Sequence, residues 1–351
     1  MLRIAAKEWI SHGFELHILS ISAREGDFAD QLSDAGWKIH TTGKHMGIID
    51  LGKRLNCYIK KLNPDVVHVH QEAYGLLPHA VCLANHVSII RTIHSSFQFH
   101  GFLRIRKMLE RWISRCFGVR FIAISQSVLI NEQTRFHNKC TLCWNWIDSD
   151  HYVPACNLNR TQARLKLQLP PDRFIVLTVG NASAVKNYVI LIEALATLNM
   201  PDLLYCQVGN QHPEGIDQAA VERLNLNFQV KFCGPSRDVL LWLQSADLFV
   251  MPSLYEGFGL AAAEALATST PCIFTNVPGL CDFKEFKLAA KWVEPLPEKI
   301  ANSITEIRKS PFSQEELSIS SSRARSEFGY IAGAARYASV WQDAKSVTGD
   351  K

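Results

Sequence analysis

Residues 250–280 read VMPSLYEGFGLAAAEALATSTPCIFTNVPGL. An apolar strand runs into a turn that carries Glu256, Gly257 and Gly259, and a helix follows with a second acid, Glu264. Both glycines are expected to pass through positive φ and bring backbone close to a ligand. The helix start behind them offers unpaired N–H groups, which suits a phosphate. Glu264 falls about one turn inside the helix and Glu256 ahead of the turn, so both carboxylates are expected to face one crevice at the carboxyl end of the strand. The competing reading is an ordinary helix start with two solvated glutamates.

Outward from this stretch the same alternation recurs. LNPDVVHVH (62–70), SIIRTIHSSF (88–97) and RFIAISQSV (120–128) read as strands with their turns, as do FIVLTVGNASAVKNYVILIEAL (174–195) and VKFCGPSRDVLLWLQSADLFVMPS (230–253). Short hydrophobic strands separated by helical segments predict an α/β protein with doubly wound parallel sheets. A chain of 351 residues is long for one domain. Pro154, Pro170 and Pro171 mark breaks in the segment that joins the two halves.

The strand, the PSLYEGFGL turn and the Glu256/Glu264 spacing resemble the signature of retaining glycosyltransferases of family 4 (glycosyl transferases group 1), and the order of segments agrees over nearly the whole chain. The resemblance implies the GT-B fold, two Rossmann-like doubly wound parallel-sheet domains facing across a cleft. The expected boundaries are 1–150 for an acceptor-side domain, 151–325 for a nucleotide-sugar domain, and 326–351 for a final helix that crosses back to the first domain.

The resemblance also assigns roles. Lys186 matches the lysine that contacts the donor diphosphate, where an ammonium is a suitable point charge. Glu264 matches the glutamate on the nucleotide ribose, and Glu256 the one that faces the donor sugar. Phe258, Gly259 and Leu260 would offer backbone N–H groups, with Gly180, Asn181 and Gly257 completing the donor site. His94 would reach the donor sugar from the first domain; its alternative is a satisfied loop histidine. His68 and His70 are read as structural or acceptor-side. The implied activity is retaining, metal-independent sugar transfer from a UDP- or GDP-sugar to a glycan or lipid-linked oligosaccharide in cell-surface polysaccharide synthesis, with no cofactor. Asp148 and Asp150 spell D-x-D but follow WNWI at the domain junction, and are read as linker rather than metal ligands.

Composition bounds the remaining possibilities. With 47% hydrophobic and 20% charged residues the chain reads as globular. The ten cysteines are scattered, and Cys140/Cys143 form a lone CxxC, so reduced thiols are expected and no zinc site. No apolar run approaches the roughly 18 residues of a membrane span. The net charge of +4 is weighted to the first 150 residues. There, residues 101–118, GFLRIRKMLERWISRCFG, set Arg104, Arg106, Lys107, Arg111 and Arg115 among large apolar side chains. That pattern suits an anionic membrane surface at the cytoplasmic face, and equally a helix with its apolar face in the core and solvated arginines. No nucleic-acid module accompanies it.

Three departures from the family pattern stand out. Asn181 occupies a position that commonly holds arginine, which removes one phosphate cation. Trp146 replaces a glycine. The opening MLRIAAKEWISHGFELHILS resembles the family's first helix followed directly by its second strand, so the first strand and its glycine-rich loop are expected to be missing. On that ground a catalytically inactive GT-B-like binding subunit or truncated pseudoenzyme is the alternative function.

Overall fold

The computed structural model describes residues 1–349 apart from 23–25, 27, 45–46, 97, 155–156 and 199. Phe97, at the end of one expected strand segment, and linker residues 155–156 thus lie outside the described residues. The chain forms two compact units: Met1–Trp146 with Tyr330–Lys351, and Ile147–Gly329. Both are α/β with parallel strands throughout.

In the first unit the strands are β1 (His17–Ser20), β2 (Lys38–Thr41), β3 (Val66–Val69), β4 (Ser88–Ile93), β5 (Arg120–Ala123) and β6 (Cys140–Leu142). The second unit contains β7 (Phe174–Val179), β8 (Leu203–Val208), β9 (Val230–Gly234), β10 (Leu248–Met251), β11 (Cys272–Thr275) and β12 (Ala290–Val293). Its single sheet has the order β12-β11-β10-β7-β8-β9. Strands β8, β10 and β11 are buried along their whole length, as expected of a parallel sheet covered by helices on both faces. Val176, Leu203 and Ile273 of the sheet pack with Leu191 and Ile304 from helices into one core.

The first unit is built less continuously. Its strands form two sheets, β1-β2 and β3-β4-β5-β6. Among the described residues no strand pairs with the outer edge of β1 or of β3, and every residue of both is only partly buried. Open edges leave backbone N–H and C=O groups without ladder partners. Amide hydrogens of β1 and β3 are therefore expected to exchange faster than those of β7 and β8, which pair on both sides. Equal protection across the four strands, read by hydrogen-exchange mass spectrometry, would contradict this.

An aromatic cluster ties the first helix, Leu2–Ser11, to the last, Tyr330–Gly349. Trp9 stacks on Tyr337, with centroids 6.3 Å apart, and its Nε1–H donates to the Ala334 carbonyl at 2.9 Å. Trp146 lies edge-on to Trp9 and to Tyr337 and is 1% exposed. The bulk of Trp146 is accommodated at Gly333, where a Cβ would stand 2.5 Å from the indole ring. The tryptophan that departs from the family pattern is thus a core residue of the first unit.

The helix Gly101–Cys116 is packed inside out. Lys107, Glu110, Arg111 and Ser114, at i, i+3, i+4 and i+7, are its buried stripe. Phe102, Ile105, Leu109 and Trp112 form the opposite stripe and are 80%, 57%, 51% and 60% exposed. This overturns the reading in which the apolar face is core. It also corrects the basic face, because Lys107 and Arg111 point inward and only Arg104, Arg106 and Arg115 remain at the flanks. Inside, Arg91 meets Glu72 at 2.7 Å and Glu110 at 2.8 Å. Lys107 meets the same two acids at 3.2 and 3.1 Å. Arg111 donates to Glu132 at 2.6 Å and lies over the Phe136 ring at 4.5 Å. Three cations face three carboxylates, so the burial is electrically balanced.

Candidate functional site

In the second unit the sequence runs outward from β7 in two directions, through β8 and β9 on one side and β10 to β12 on the other. The switch point lies between β7 and β10, where open α/β sheets place ligands at the carboxyl ends of their strands. The loops after these two strands are stapled together. Leu254 N–H donates to the Val185 carbonyl at 2.8 Å, and Lys186 Nζ meets Glu256 Oε1 at 2.8 Å. Ser253 Oγ donates to the same carboxylate oxygen at 2.7 Å. An ammonium and a carboxylate 70 positions apart in sequence are thus fixed against each other at the switch point.

Glycines set the approach of these loops, though not all the expected ones. Gly180 has φ 140° and Gly259, which precedes the helix Leu260–Ala267, has φ 85°. Gly257 is not among the positive-φ residues, so the expectation for that glycine is corrected: one left-handed residue suffices to start the helix. Phe258 buries its ring against Phe283 and Phe328, which anchors the turn. Asn181 Oδ1 accepts from Asn210 N–H at 3.0 Å, while its residue remains exposed. Two glycines that sequence reasoning passed over matter here. A Cβ on Gly209 would stand 2.2 Å from the Gly180 carbonyl oxygen, and one on Gly279 would stand 2.4 Å from that of Glu256. Neither lies in a motif; only the close backbone approach reveals them.

Glu264 faces Tyr152, another residue unforeseen from sequence. Burial pushes the Glu264 carboxyl up to about 7, against the hydrogen bond from the Tyr152 hydroxyl, which pulls it down. A carboxyl so placed is a receptor for vicinal hydroxyls once it is ionised. Asp148, of the D-x-D pair, accepts from the His151 N–H at 3.2 Å within a turn. Among the described residues no group of three or more His, Cys, Asp or Glu side chains could hold a metal ion.

The first unit presents a histidine array at the carboxyl ends of β3 and β4. His94 Nε2 and His70 Nδ1 are 3.0 Å apart. His68 Nδ1 accepts from Trp341 Nε1–H at 3.0 Å, so its proton sits on Nε2, which donates to Thr92 Oγ1 at 2.7 Å. Burial lowers all three imidazoles, His70 to about 3 with the His94 charge as a second cause, so the array is neutral near pH 7. His94 is therefore a neutral ring hydrogen-bonded to His70, and His68 is locked in the packing of the final helix.

Similarities to known proteins follow the same division. The family of glycosyl transferases group 1 matches residues 159–325, and Glycosyltransferase Family 4 matches residues 2–151. The UDP-Gal:alpha-D-GlcNAc-diphosphoundecaprenol alpha-1,3-galactosyltransferase of Escherichia coli is 27% identical over 278 residues, covering 74% of this chain and 71% of that protein. The D-inositol 3-phosphate glycosyltransferase of Thermomonospora curvata is 31% identical over 199 residues, 52% of this chain; the match spans about half of that relative, 46% of its length. Among solved structures, a glycosyltransferase from Rickettsia africae superposes with a TM-score of 0.84 at 18% identity, covering 98% of this chain and 94% of that one. Anabaena HepE in complex with UDP superposes with a TM-score of 0.83 at 17% identity, covering 97% and 96%. Two parallel-sheet Rossmann-like units, the glycine turn between Glu256 and Glu264, and both family matches lead to one assignment: the chain belongs to the group 1 glycosyltransferases of the GT-B fold.

Proposed function

We propose that this glycosyltransferase transfers a sugar from a UDP-sugar to a lipid-linked glycan, with retention at the anomeric carbon and without a metal. The observation that carries the reading is the Lys186–Glu256 pair at the switch point, with Glu264 held by Tyr152. Departure of a nucleoside diphosphate builds negative charge, which the Lys186 ammonium and the backbone N–H groups at Phe258, Gly259 and Leu260 would stabilise. Glu256 keeps that ammonium in place and faces the donor sugar, where positive charge develops. His94 is assigned to the donor sugar, with His70 fixing its ring. The leaving phosphate takes the acceptor proton on the same face. The choice of UDP over GDP draws on the UDP bound by HepE, and the lipid-linked acceptor on the diphosphoundecaprenol named in the Escherichia coli relative. The outward apolar stripe of the Gly101–Cys116 helix, flanked by arginines, would hold the protein peripherally at the cytoplasmic face of an anionic membrane. Among the described residues no helix is long and apolar enough to cross a membrane.

Calorimetry with UDP-glucose tests the donor site, because its diphosphate diester does not titrate near neutrality. A buried carboxyl raised to about 7 must lose its proton before it accepts two ribose hydroxyls. Binding is therefore present above that value and weakens as pH falls through it, by about tenfold between pH 8 and pH 6. Glu264→Gln is expected to flatten the profile and to weaken binding at pH 8 by about 1.5–3 kcal/mol. Wild-type affinity and pH dependence in that variant would refute the assignment.

A further inference from the structure

At the β6 edge of the first unit's sheet, away from the histidine array on β3 and β4, lies a cavity of about 730 Å³. It runs along β6, the edge strand, from Lys139 to Cys143, and takes in the start of β5 and the final helix, whereas His94 follows β4, two strands away in the sheet, and is not part of the lining. Its lining includes four cations, Arg115, Arg120, Lys139 and Arg336, and a single acid, Asp343. Arg115 spends one N–H on the His137 carbonyl at 2.9 Å. Arg120 and Lys139 form no ion pair among the described residues. An excess of positive charge around an open cavity calls for an anion with more than one negative charge.

What adjoins the cavity narrows the class of anion. Arg115 is in the last turn of the inside-out helix, and Phe117, directly after it, is 57% exposed. Trp112, one turn earlier, belongs to the outward apolar stripe. Exposed apolar side chains next in the chain to the lining residues Arg115 and Gly118 match a molecule that is apolar at one end and multiply anionic at the other. A soluble anion would leave Phe117 and Trp112 in water; a lipid covers them with its chains while its phosphates enter the cavity.

We propose that this cavity is a headgroup site for a phospholipid bearing two phosphates, and that it adds headgroup selectivity to the membrane contact of the Gly101–Cys116 helix. The proposal rests on the reading of that helix as the membrane-facing surface. The probe is co-sedimentation of the whole chain with phosphatidylcholine vesicles that contain either phosphatidylglycerol or cardiolipin at equal total charge. Wild type is expected to bind the cardiolipin vesicles several-fold more tightly. Each basic residue at an anionic surface contributes about fivefold, so the double variant Arg120→Gln/Lys139→Gln should lose the several-fold cardiolipin preference and still bind phosphatidylglycerol vesicles. Neither side chain is in an ion pair among the described residues, so the variant is expected to fold, which its circular dichroism spectrum checks. Phe102→Ser/Trp112→Ser should lose binding to both vesicle types, and if it does not, the helix is not the membrane-facing surface. Equal binding of wild type to both vesicle types, or a cardiolipin preference that survives in the Arg120/Lys139 variant, overturns the headgroup site alone. Inorganic pyrophosphate that binds wild type without vesicles, and less well the double variant, would make the cavity a soluble-anion site and overturn the lipid assignment.

Discussion

Glu132→Ala is expected to destabilise the first unit by about 3–5 kcal/mol, the cost of leaving a buried charge without its partner. Arg111 and Glu132 both have fully buried side chains and meet at 2.6 Å, and Asn138 Nδ2 donates to the same carboxylate oxygen at 2.8 Å. Removing the carboxylate leaves the guanidinium above the Phe136 ring with Glu72, at 3.3 Å, as its remaining acid. The variant that removes both charges, Arg111→Met/Glu132→Gln, should recover much of the loss, since apolar or neutral replacement of a whole buried pair is often near neutral. Fluorescence of the Trp9–Trp37–Trp146–Trp341 cluster reports this unit during urea unfolding. A midpoint unchanged in Glu132→Ala would show that the network contributes nothing. The same network sets an acid limit. Burial pushes Glu110 up, but the hydrogen bond and charge of Arg91, with the charge and hydrogen bond of Lys107, outweigh it and hold the carboxyl below its ordinary range. Stability from this group is thus present above the ordinary carboxylate pKa and lost as pH falls through the lowered one.

Lys186→Ala is expected to reduce kcat by about a hundredfold to a thousandfold, the loss seen when one donor to a developing anion is removed from a preorganised site. The ammonium is held before substrate arrives, by Glu256 at 2.8 Å and by the backbone bond between Leu254 and Val185. Its interaction with the diphosphate should strengthen as the sugar departs, so kcat should fall more than KM rises. UDP release from the UDP-sugar that supports transfer gives both constants. A variant that changes KM alone would make Lys186 a binding residue, and one with no change would remove it from the site. Asn181 lacks the charge to compensate, because a side-chain amide is neutral and offers a phosphate only an uncharged donor.

The local grammar of this chain was legible throughout. Each expected strand segment contains a strand of the structure, and the strand, glycine turn and helix around residues 250–267 fall where residue order places them. These features depend on neighbours a few positions away, through alternating apolar runs, turn residues and helix starts, so they are written in the order of residues. Even there the φ of a single glycine was not: Gly259 turns left-handed and Gly257 does not, because the helix start needs it at one position only. What tertiary structure alone decided are the partnerships made over long separations. A helical stripe pattern gives two opposite faces for residues 101–116 but does not say which is inner; Glu72, Arg91 and Glu132, contributed by other elements, turned the charged one inward by balancing it. Trp146 looked misplaced until Gly333 supplied the room for it, and Gly209 and Gly279 looked ordinary until two loops met over them. The apolar stripe of that helix thereby came to face outward, and the helix end joins a cationic cavity that no short stretch of sequence contains, because its lining is drawn from that helix end, the start of β5, the edge strand β6 and the final helix.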